Sequence, residues 1–266
     1  MIHIFIAATG DYDKLMDKER VESFNNLFPS EEKTFNYISD TDRNIKSIRA
    51  SLNNSYVDFK YYHICNLVYP FVNLFKFNYI MDAVKLYGYN LDDIFMYCDA
   101  TSLILGKDQS FWNNTLNVIS SHDITYSTNP YIYSPSISDE IDERSKHHAT
   151  LEQLKTEPEK WSQTSFLTGH LYGLKKLNNY MNQLLLDDIR YSDNLRIKQC
   201  ILPNFMEQHY FNYIFYNLDK YDLDVHHDKY ITYNPQAIEQ STIMLCHYKN
   251  WAIAEKRNST IYKEGI

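Results

Sequence analysis

The stretch Ile2-His3-Ile4-Phe5-Ile6-Ala7-Ala8, followed by Thr9-Gly10-Asp11, indicates the fold most directly. β-branched and aromatic residues dominate it, so it predicts a buried strand that stops in a turn. A similar run, Ile94-Phe95-Met96-Tyr97, leads into Cys98-Asp99-Ala100-Thr101 and predicts a second such strand. Strands buried on both faces are typical of parallel sheets covered by helices. The two runs therefore favour an α/β protein.

The rest of the chain extends this alternation of strands and helices. Further strands are predicted at residues 34–39, 122–126 and 241–246. Helical spacing of apolar residues predicts helices after Pro70 and over residues 175–190 and 204–218. Between residues 129 and 163 Ser, Pro, Glu and His accumulate, which indicates a long loop or lid. We expect one α/β domain over residues 1–250, with a mostly parallel mixed sheet flanked by helices, and a tail at 251–266.

Composition excludes several classes of protein. The formal net charge of −8 argues against a general nucleic-acid binder. Only six glycines are present, and none forms the dinucleotide-binding or P-loop fingerprint. The four cysteines are widely spaced, as in proteins with reduced thiols, and no signal peptide is recognisable. We therefore expect a cytoplasmic location with at most peripheral contact with a membrane.

Three polar groups are candidates for chemistry. Asp99 and His247 each follow a predicted strand, and in open α/β sheets ligands bind at the carboxyl ends of strands. A carboxylate and an imidazole there suit Mn²⁺, or Mg²⁺, although an aspartate can also simply close a turn and a histidine can be structural. Glu207-Gln208 lies in a helical segment, where adjacent residues point about 100° apart, so it forms either part of a cleft or a solvated face.

Four segments follow one another in an order that resembles a known family: Ala7-Ala8-Thr9-Gly10-Asp11-Tyr12, Phe35-Asn36-Tyr37-Ile38-Ser39-Asp40, Tyr69-Pro70 leading into Phe75-Lys76-Phe77, and Tyr97-Cys98-Asp99-Ala100-Thr101. They resemble the retaining glycosyltransferases of the blood-group ABO type, family six. Phe166-Leu167-Thr168-Gly169-His170-Leu171-Tyr172-Gly173 is similar to the donor loop of that family. The resemblance spans about residues 2–218.

The last part of the chain is more similar to family eight, which contains glycogenin and the bacterial lipooligosaccharide galactosyltransferases. Glu207-Gln208 with the downstream Asn212 resembles the motif of that family, and His247 resembles its terminal metal-binding histidine. The two resemblances imply a GT-A-type, Rossmann-like domain that binds a nucleotide sugar.

The resemblance also implies roles for individual residues. Ala7, Thr9 and Tyr12 would border uracil and ribose, and Lys76 would offset diphosphate charge. Asp99 would be the first acid of the Asp-x-Asp motif, and with His247 it would bind the metal. The remaining donor-site residues implied are Thr101, Leu167, Thr168, Gly169 and Lys249. Leu167 and Gly169 would select the sugar, and Gln208, with Glu207 beside it, would lie at the catalytic position.

Two departures from the family pattern are present: Thr168 and Tyr172 stand where family six has glycines in the donor loop, and one acid of the Asp-x-Asp motif is replaced. Thr101 stands where the second acid of Asp-x-Asp is expected, so that ligand oxygen is neutral. Gln208 is a poor nucleophile, which favours front-face displacement over a covalent intermediate on Glu207.

The function implied is transfer of a galactose-, N-acetylgalactosamine- or glucose-type hexose from a UDP-sugar to a hydroxyl of a glycan, glycolipid or protein. The alternatives are a degenerate fold that binds a nucleotide or glycan without chemistry, and a metal-dependent hydrolase built on Asp99 and His247.

Overall fold

The computed structural model describes residues 1–7, 18–39, 59–63, 71–99, 104, 108–128, 147, 149–157, 160, 162–191 and 206–228. Seven strands are present in these residues: β1 (Ile2–Ala7), β2 (Lys33–Ser39), β3 (Phe59–His63), β4 (Ile94–Asp99), β5 (Ile124–Thr128), β6 (Ser162–His170) and β7 (Val225–Asp228). The helices of the same residues are α1 (Lys18–Ser23), α2 (Phe71–Tyr87), α3 (Gln109–Ser120), α4 (Leu151–Thr156), α5 (Leu171–Tyr191) and α6 (Met206–Tyr216).

All seven strands join one mixed sheet in the order β3-β2-β1-β4-β6-β5-β7. Strands β1 to β4 run parallel to one another, and β5 runs parallel to β7. Strand β6 lies between β4 and β5 and is antiparallel to both. The α/β class and the mostly parallel mixed sheet flanked by helices are thus confirmed.

Apolar side chains cover both faces of this sheet. On β1 they alternate between two clusters: Phe5 packs with residues of α2, α5 and α6, whereas Ile4 and Ile6 pack with residues of α1 and α3. This alternation follows from the two-residue period of a strand. The first strand is therefore buried from both sides, as its continuous apolar sequence predicts.

A close backbone approach joins β5 to the junction of β6 and α5. A Cβ atom placed on Gly169 would lie 2.2 Å from the carbonyl oxygen of Asp123, and one placed on Gly173 would lie 2.4 Å from the same oxygen. Glycine is therefore required at both positions, because the obstructing atom belongs to the backbone and cannot turn aside.

The amino ends of the strands carry a buried polar network. His3 is 1% exposed, and its ring nitrogens lie 2.8 Å from Thr34 Oγ1 and 2.8 Å from Asp93 Oδ2. The ring also stacks on Tyr89, with the centroids 3.7 Å apart. These contacts satisfy both nitrogens of a histidine within an otherwise apolar strand.

The structure confirms the predicted helices after Pro70 and near residues 175–190 and 204–218. It corrects the prediction of a continuous loop over residues 129–163, since α4 lies within that segment and β6 begins at Ser162. The predicted strand at 241–246 and the tail at 251–266 lie outside the described residues. Among the residues that are described, no helix is both long and apolar enough to cross a membrane.

Candidate functional site

The sheet reverses its strand order between β1 and β4. After β1 the chain adds β2 and β3 on one side, and it then returns to place β4 on the other side of β1. In open α/β sheets the connections diverge at such a point, and ligands bind in the crevice that forms at the carboxyl ends of the two strands. The final residues of these strands, Ala7 and Asp99, are register partners. The candidate site is therefore this crevice.

Asp99 is the last residue of a strand whose preceding five residues are buried. The backbone of Asp99 consequently lies where the buried strand emerges at the edge of the sheet. Thr9 and Tyr12 follow β1, and Thr101 follows β4; all three lie outside the described residues. The structure thus brings the strand ends that precede these predicted residues together at one edge.

Lys76 of helix α2 lies toward the same edge of the sheet as Asp99. The helix leads from the carboxyl end of β3 to the amino end of β4, so its first turns lie at the carboxyl edge. Lys76 belongs to the second turn of this helix. Its position is compatible with the predicted role of offsetting the charge of a diphosphate.

Helix α6 crosses one face of the sheet with its first turn toward β4. Phe215, near the end of the helix, stacks on Tyr126 of β5, with centroids 4.1 Å apart and an angle of 4° between the planes. One turn earlier, the ring centroid of Phe211 lies 5.4 Å from that of Phe77 of α2. The ring centroid of Phe77 in turn lies 6.1 Å from that of Tyr97 of β4. Glu207 and Gln208, the two predicted catalytic residues, are in the first turn of α6.

Three of the predicted donor-binding residues lie inside the sheet. The segment likened to a donor loop forms the end of β6 and the first turn of α5. Leu167 and Thr168 are fully buried, and the Thr168 hydroxyl donates a hydrogen bond to the carbonyl oxygen of Phe95. Gly169 pairs with Phe95, four residues before Asp99 and hence about 13 Å from its level.

The space beside Gly169 is filled by the carbonyl oxygen of Asp123 rather than open to a ligand. This arrangement gives no support to the sugar-selecting role that the resemblance implies for Leu167 and Gly169. The interpretation of Gly169 as a sugar-selecting residue did not take account of the backbone of Asp123, immediately before β5, which the local sequence does not reveal.

The residues predicted to bind a metal are not among those whose side chains are described. Within the described part of the chain, no three His, Cys, Asp or Glu side chains group together as a metal centre. His247 and Lys249 lie outside the described residues, and of Asp99 the backbone alone is described. The donor types of Asp99 and His247, an oxygen and a nitrogen, are those that Mn²⁺ accepts.

Two features near α6 escaped the sequence analysis. His147 is buried, with Nε2 3.4 Å from Asp187 Oδ2 and its ring against Tyr213. Helix α4 begins with a capping box in which Thr150 and Gln153 exchange hydrogen bonds. The pattern Thr-x-x-Gln is readable in the sequence and could have predicted this helix start.

Comparison with known proteins yields structural matches alone. No family model matches the chain, and no curated protein matches it. The galactosyltransferase LgtC, solved with donor and acceptor sugar analogues, matches 90% of this chain and 79% of its own at 13% identity, with a TM-score of 0.46. The glycosyltransferase GlyE of Streptococcus pneumoniae TIGR4 matches 85% of this chain and 44% of its own at 9% identity, with a TM-score of 0.46. The bifunctional glycosyltransferase WbbM matches 93% of this chain and 45% of its own at 10% identity, with a TM-score of 0.47.

Proposed function

We propose that this chain is a retaining glycosyltransferase of the GT-A type that moves a hexose from a UDP-sugar to a hydroxyl acceptor. The observation that carries the proposal is the register of Ala7 with Asp99 at the switch point of the sheet. The family-like segments Ala7–Tyr12 and Tyr97–Thr101 each contain one of these two paired residues.

In this proposal the nucleotide lies across the ends of β1 and β4. Ala7, Thr9 and Tyr12 border uracil and ribose, with the Tyr12 ring as a stacking surface. Asp99 accepts hydrogen bonds from the ribose. Leu167, Thr168 and Gly169 are left out of the donor site because they lie inside the sheet.

Charge on the diphosphate is balanced by cationic groups. Lys76 and Lys249 would lie beside the phosphates, and Asp99 with His247 would hold a divalent ion, Mn²⁺ or Mg²⁺, with Thr101 supplying a neutral oxygen. When bound, such an ion supplies positive charge next to the departing UDP. The acceptor is a hydroxyl of a glycan, glycolipid or protein.

The transfer step follows from the chemistry of Gln208. A carboxamide is a poor nucleophile, so the acceptor hydroxyl attacks the anomeric carbon on the face from which UDP departs. The bond from that carbon to the diphosphate oxygen breaks, the bond to the acceptor oxygen forms, and the acceptor proton passes to the diphosphate. The amide oxygen of Gln208 stabilises the positive charge that develops on the sugar.

UDP release from UDP-Gal, UDP-GalNAc, UDP-Glc and UDP-GlcNAc, measured without acceptor and with hydroxyl acceptors, tests the proposal. We expect slow release with one of these donors and its loss in Asp99→Asn. Absence of turnover with all four donors would contradict the enzymatic function.

A second candidate is a binding module with this fold. It is favoured by two neutral residues: Thr101, in place of the second acid of Asp-x-Asp, and Gln208, in place of the catalytic glutamate of family six. Calorimetry distinguishes the two candidates. Tight binding of UDP together with no consumption of any donor selects the binding module. The cytoplasmic location with at most peripheral membrane contact remains part of the proposal.

A further inference from the structure

Asn212 of α6 and Ser162 of β6 exchange two hydrogen bonds. The backbone N–H of Ser162 donates to Asn212 Oδ1 over 2.7 Å, and Asn212 Nδ2 donates to the carbonyl oxygen of Ser162 over 3.0 Å. Both residues are fully buried. The side-chain amide of Asn212 thus takes the place of a backbone partner at the first residue of β6. The orientation of this amide is fixed, because its NH₂ group must face the Ser162 carbonyl oxygen and its oxygen must face the Ser162 N–H.

This pair of bonds lies at the carboxyl edge of the sheet. Ser162 is the first residue of β6 and pairs with Thr128, the last residue of β5. Because β5 runs parallel to β4 on the far side of β6, Ser162 is at the same edge as Asp99. Asn212 therefore attaches α6 to the edge at which the candidate site lies.

The position of Asn212 on the helix relates it to Gln208. The two residues are four apart, so they share one stripe of α6, whereas Glu207 is displaced from that stripe by about 100°. The stripe that Asn212 holds against the start of β6 is consequently the stripe of Gln208. The first turn of the helix extends from this anchor toward β4.

We propose that Asn212 is a positioning residue for glycosyl transfer, because its two bonds to Ser162 align the Gln208 stripe of α6 with the carboxyl edge of the sheet. This inference rests on the proposed function and assigns the catalytic position to Gln208 rather than Glu207. A catalytic group must be placed to within a fraction of an ångström, and a displacement of about 1 Å can lower a rate a hundredfold. The nucleotide, held at the ends of β1 and β4, does not depend on these bonds.

The variant Asn212→Asp tests the role because it keeps the size of the side chain. An ionised carboxylate still accepts from the N–H of Ser162 but places an oxygen against the carbonyl oxygen of Ser162. A protonated carboxyl group donates to that carbonyl and restores both bonds. Activity of the variant, divided by that of the wild type at each pH, should therefore rise as the pH falls, and a buried carboxyl group protonates above its ordinary pKa.

A matched control removes another hydrogen bond of the same helix. The Tyr216 hydroxyl, in the last turn of α6, donates to the carbonyl oxygen of Glu157 over 2.7 Å. Tyr216→Phe deletes this bond two turns away from Gln208 while it keeps the ring. Asn212→Ser, whose short side chain cannot reach both groups of Ser162 at once, provides a second variant should Asn212→Asp not fold.

At pH 8 we expect kcat of Asn212→Asp to fall about ten- to a hundredfold, with UDP affinity within about twofold of wild type by calorimetry. The kcat of Asn212→Asp divided by that of wild type should rise toward 1 at about pH 5.5. Tyr216→Phe should keep kcat within about twofold of wild type. Asn212→Ser should lose kcat similarly, without recovery at low pH. A pH-independent ratio, an equal loss in Tyr216→Phe, or a parallel loss of UDP affinity and kcat would overturn the positioning role. A wild-type protein that turns over no donor would instead overturn the proposed function, and this role with it.

Discussion

His3 and Asp93 form a 2.8 Å hydrogen bond between Nε2 and Oδ2 across 90 positions of sequence. Partial burial tends to raise the pKa of Asp93, but the hydrogen bonds from His3 and from the amino group of Met1, together with their charges, outweigh it and hold the pKa below its ordinary value. A lowered pKa in the folded protein means that the ionised carboxylate stabilises the fold.

The acid sensitivity of the fold should therefore change in Asp93→Asn. The contribution of the ionised Asp93 carboxylate to stability is present above the ordinary pKa of an aspartate and is lost as the pH falls through the lowered pKa. Urea unfolding from pH 7 to pH 2.5 should show the wild-type and variant curves converging at low pH. The exposed neighbour serves as control, since Asp92→Asn should leave the pH dependence as in wild type. A constant gap between the wild-type and Asp93→Asn curves would contradict the prediction.

Substitution of Gly169 or Gly173 by alanine should destabilise the fold by about 3 kcal/mol or more. The added Cβ would meet the carbonyl oxygen of Asp123, and separating them requires a shift of β5 away from β6. Gly88→Ala is the matched control: Gly88 has φ +65° but open space around it, so alanine should cost about 1 kcal/mol there. Denaturant unfolding measures the difference, and equal losses at the three glycines would exclude the backbone contact as the cause.

The stack of Tyr126 on Phe215 should contribute more to stability than the hydroxyl of Tyr126 does. Tyr126→Phe removes the hydroxyl group, which donates a hydrogen bond to the carbonyl oxygen of Lys160, and should cost about 1 kcal/mol. Tyr126→Ala also removes the buried ring and should cost about 3–5 kcal/mol. In a double-mutant cycle with Phe215→Ala, the effects of the two alanine substitutions should not add. Strict additivity would show that the rings contribute independently.

Gln208→Ala should lower transfer strongly and leave UDP binding unchanged, because in the proposed mechanism the amide acts on the sugar rather than on the nucleotide. Glu207→Gln, the matched change at the adjacent position, should have a smaller effect, since the proposed front-face displacement uses no carboxylate nucleophile. Initial rates with the preferred donor and calorimetry with UDP provide the two measurements. A larger loss of kcat in Glu207→Gln would point to double displacement through Glu207.

The sequence was sufficient to predict the central strands and the long helices. Ile2–Ala7 and Ile94–Asp99 are continuous apolar runs because both faces of these strands are covered, and such runs are visible without a structure. The polar residues that follow these runs indicate a site at the carboxyl ends of the two strands. Their register, which pairs Ala7 with Asp99, depends on the path of the chain and required the structure.

The outer strands were not predicted because they lack this pattern. Phe59-Lys60-Tyr61-Tyr62-His63 and Val225-His226-His227-Asp228 contain polar residues, and their pairing in the sheet rather than their local composition makes them strands. Contacts between residues that are distant in the chain are equally difficult to predict from sequence. The sequence favours a sugar-selecting role for Gly169. The space beside this residue is filled instead by the backbone of Asp123, 46 positions away in the chain.

The polar sequence of β3 and β7 also bears on how copies of this protein meet one another. Within the described residues these two strands form the outer boundaries of the sheet, and they are five and four residues long. An unpaired boundary strand is a template onto which a second molecule can add, and shortness, lysine and other charged residues are the features that oppose such growth. Lys60 on one boundary and Asp228 on the other make polymerisation of this sheet through its flanks unfavourable.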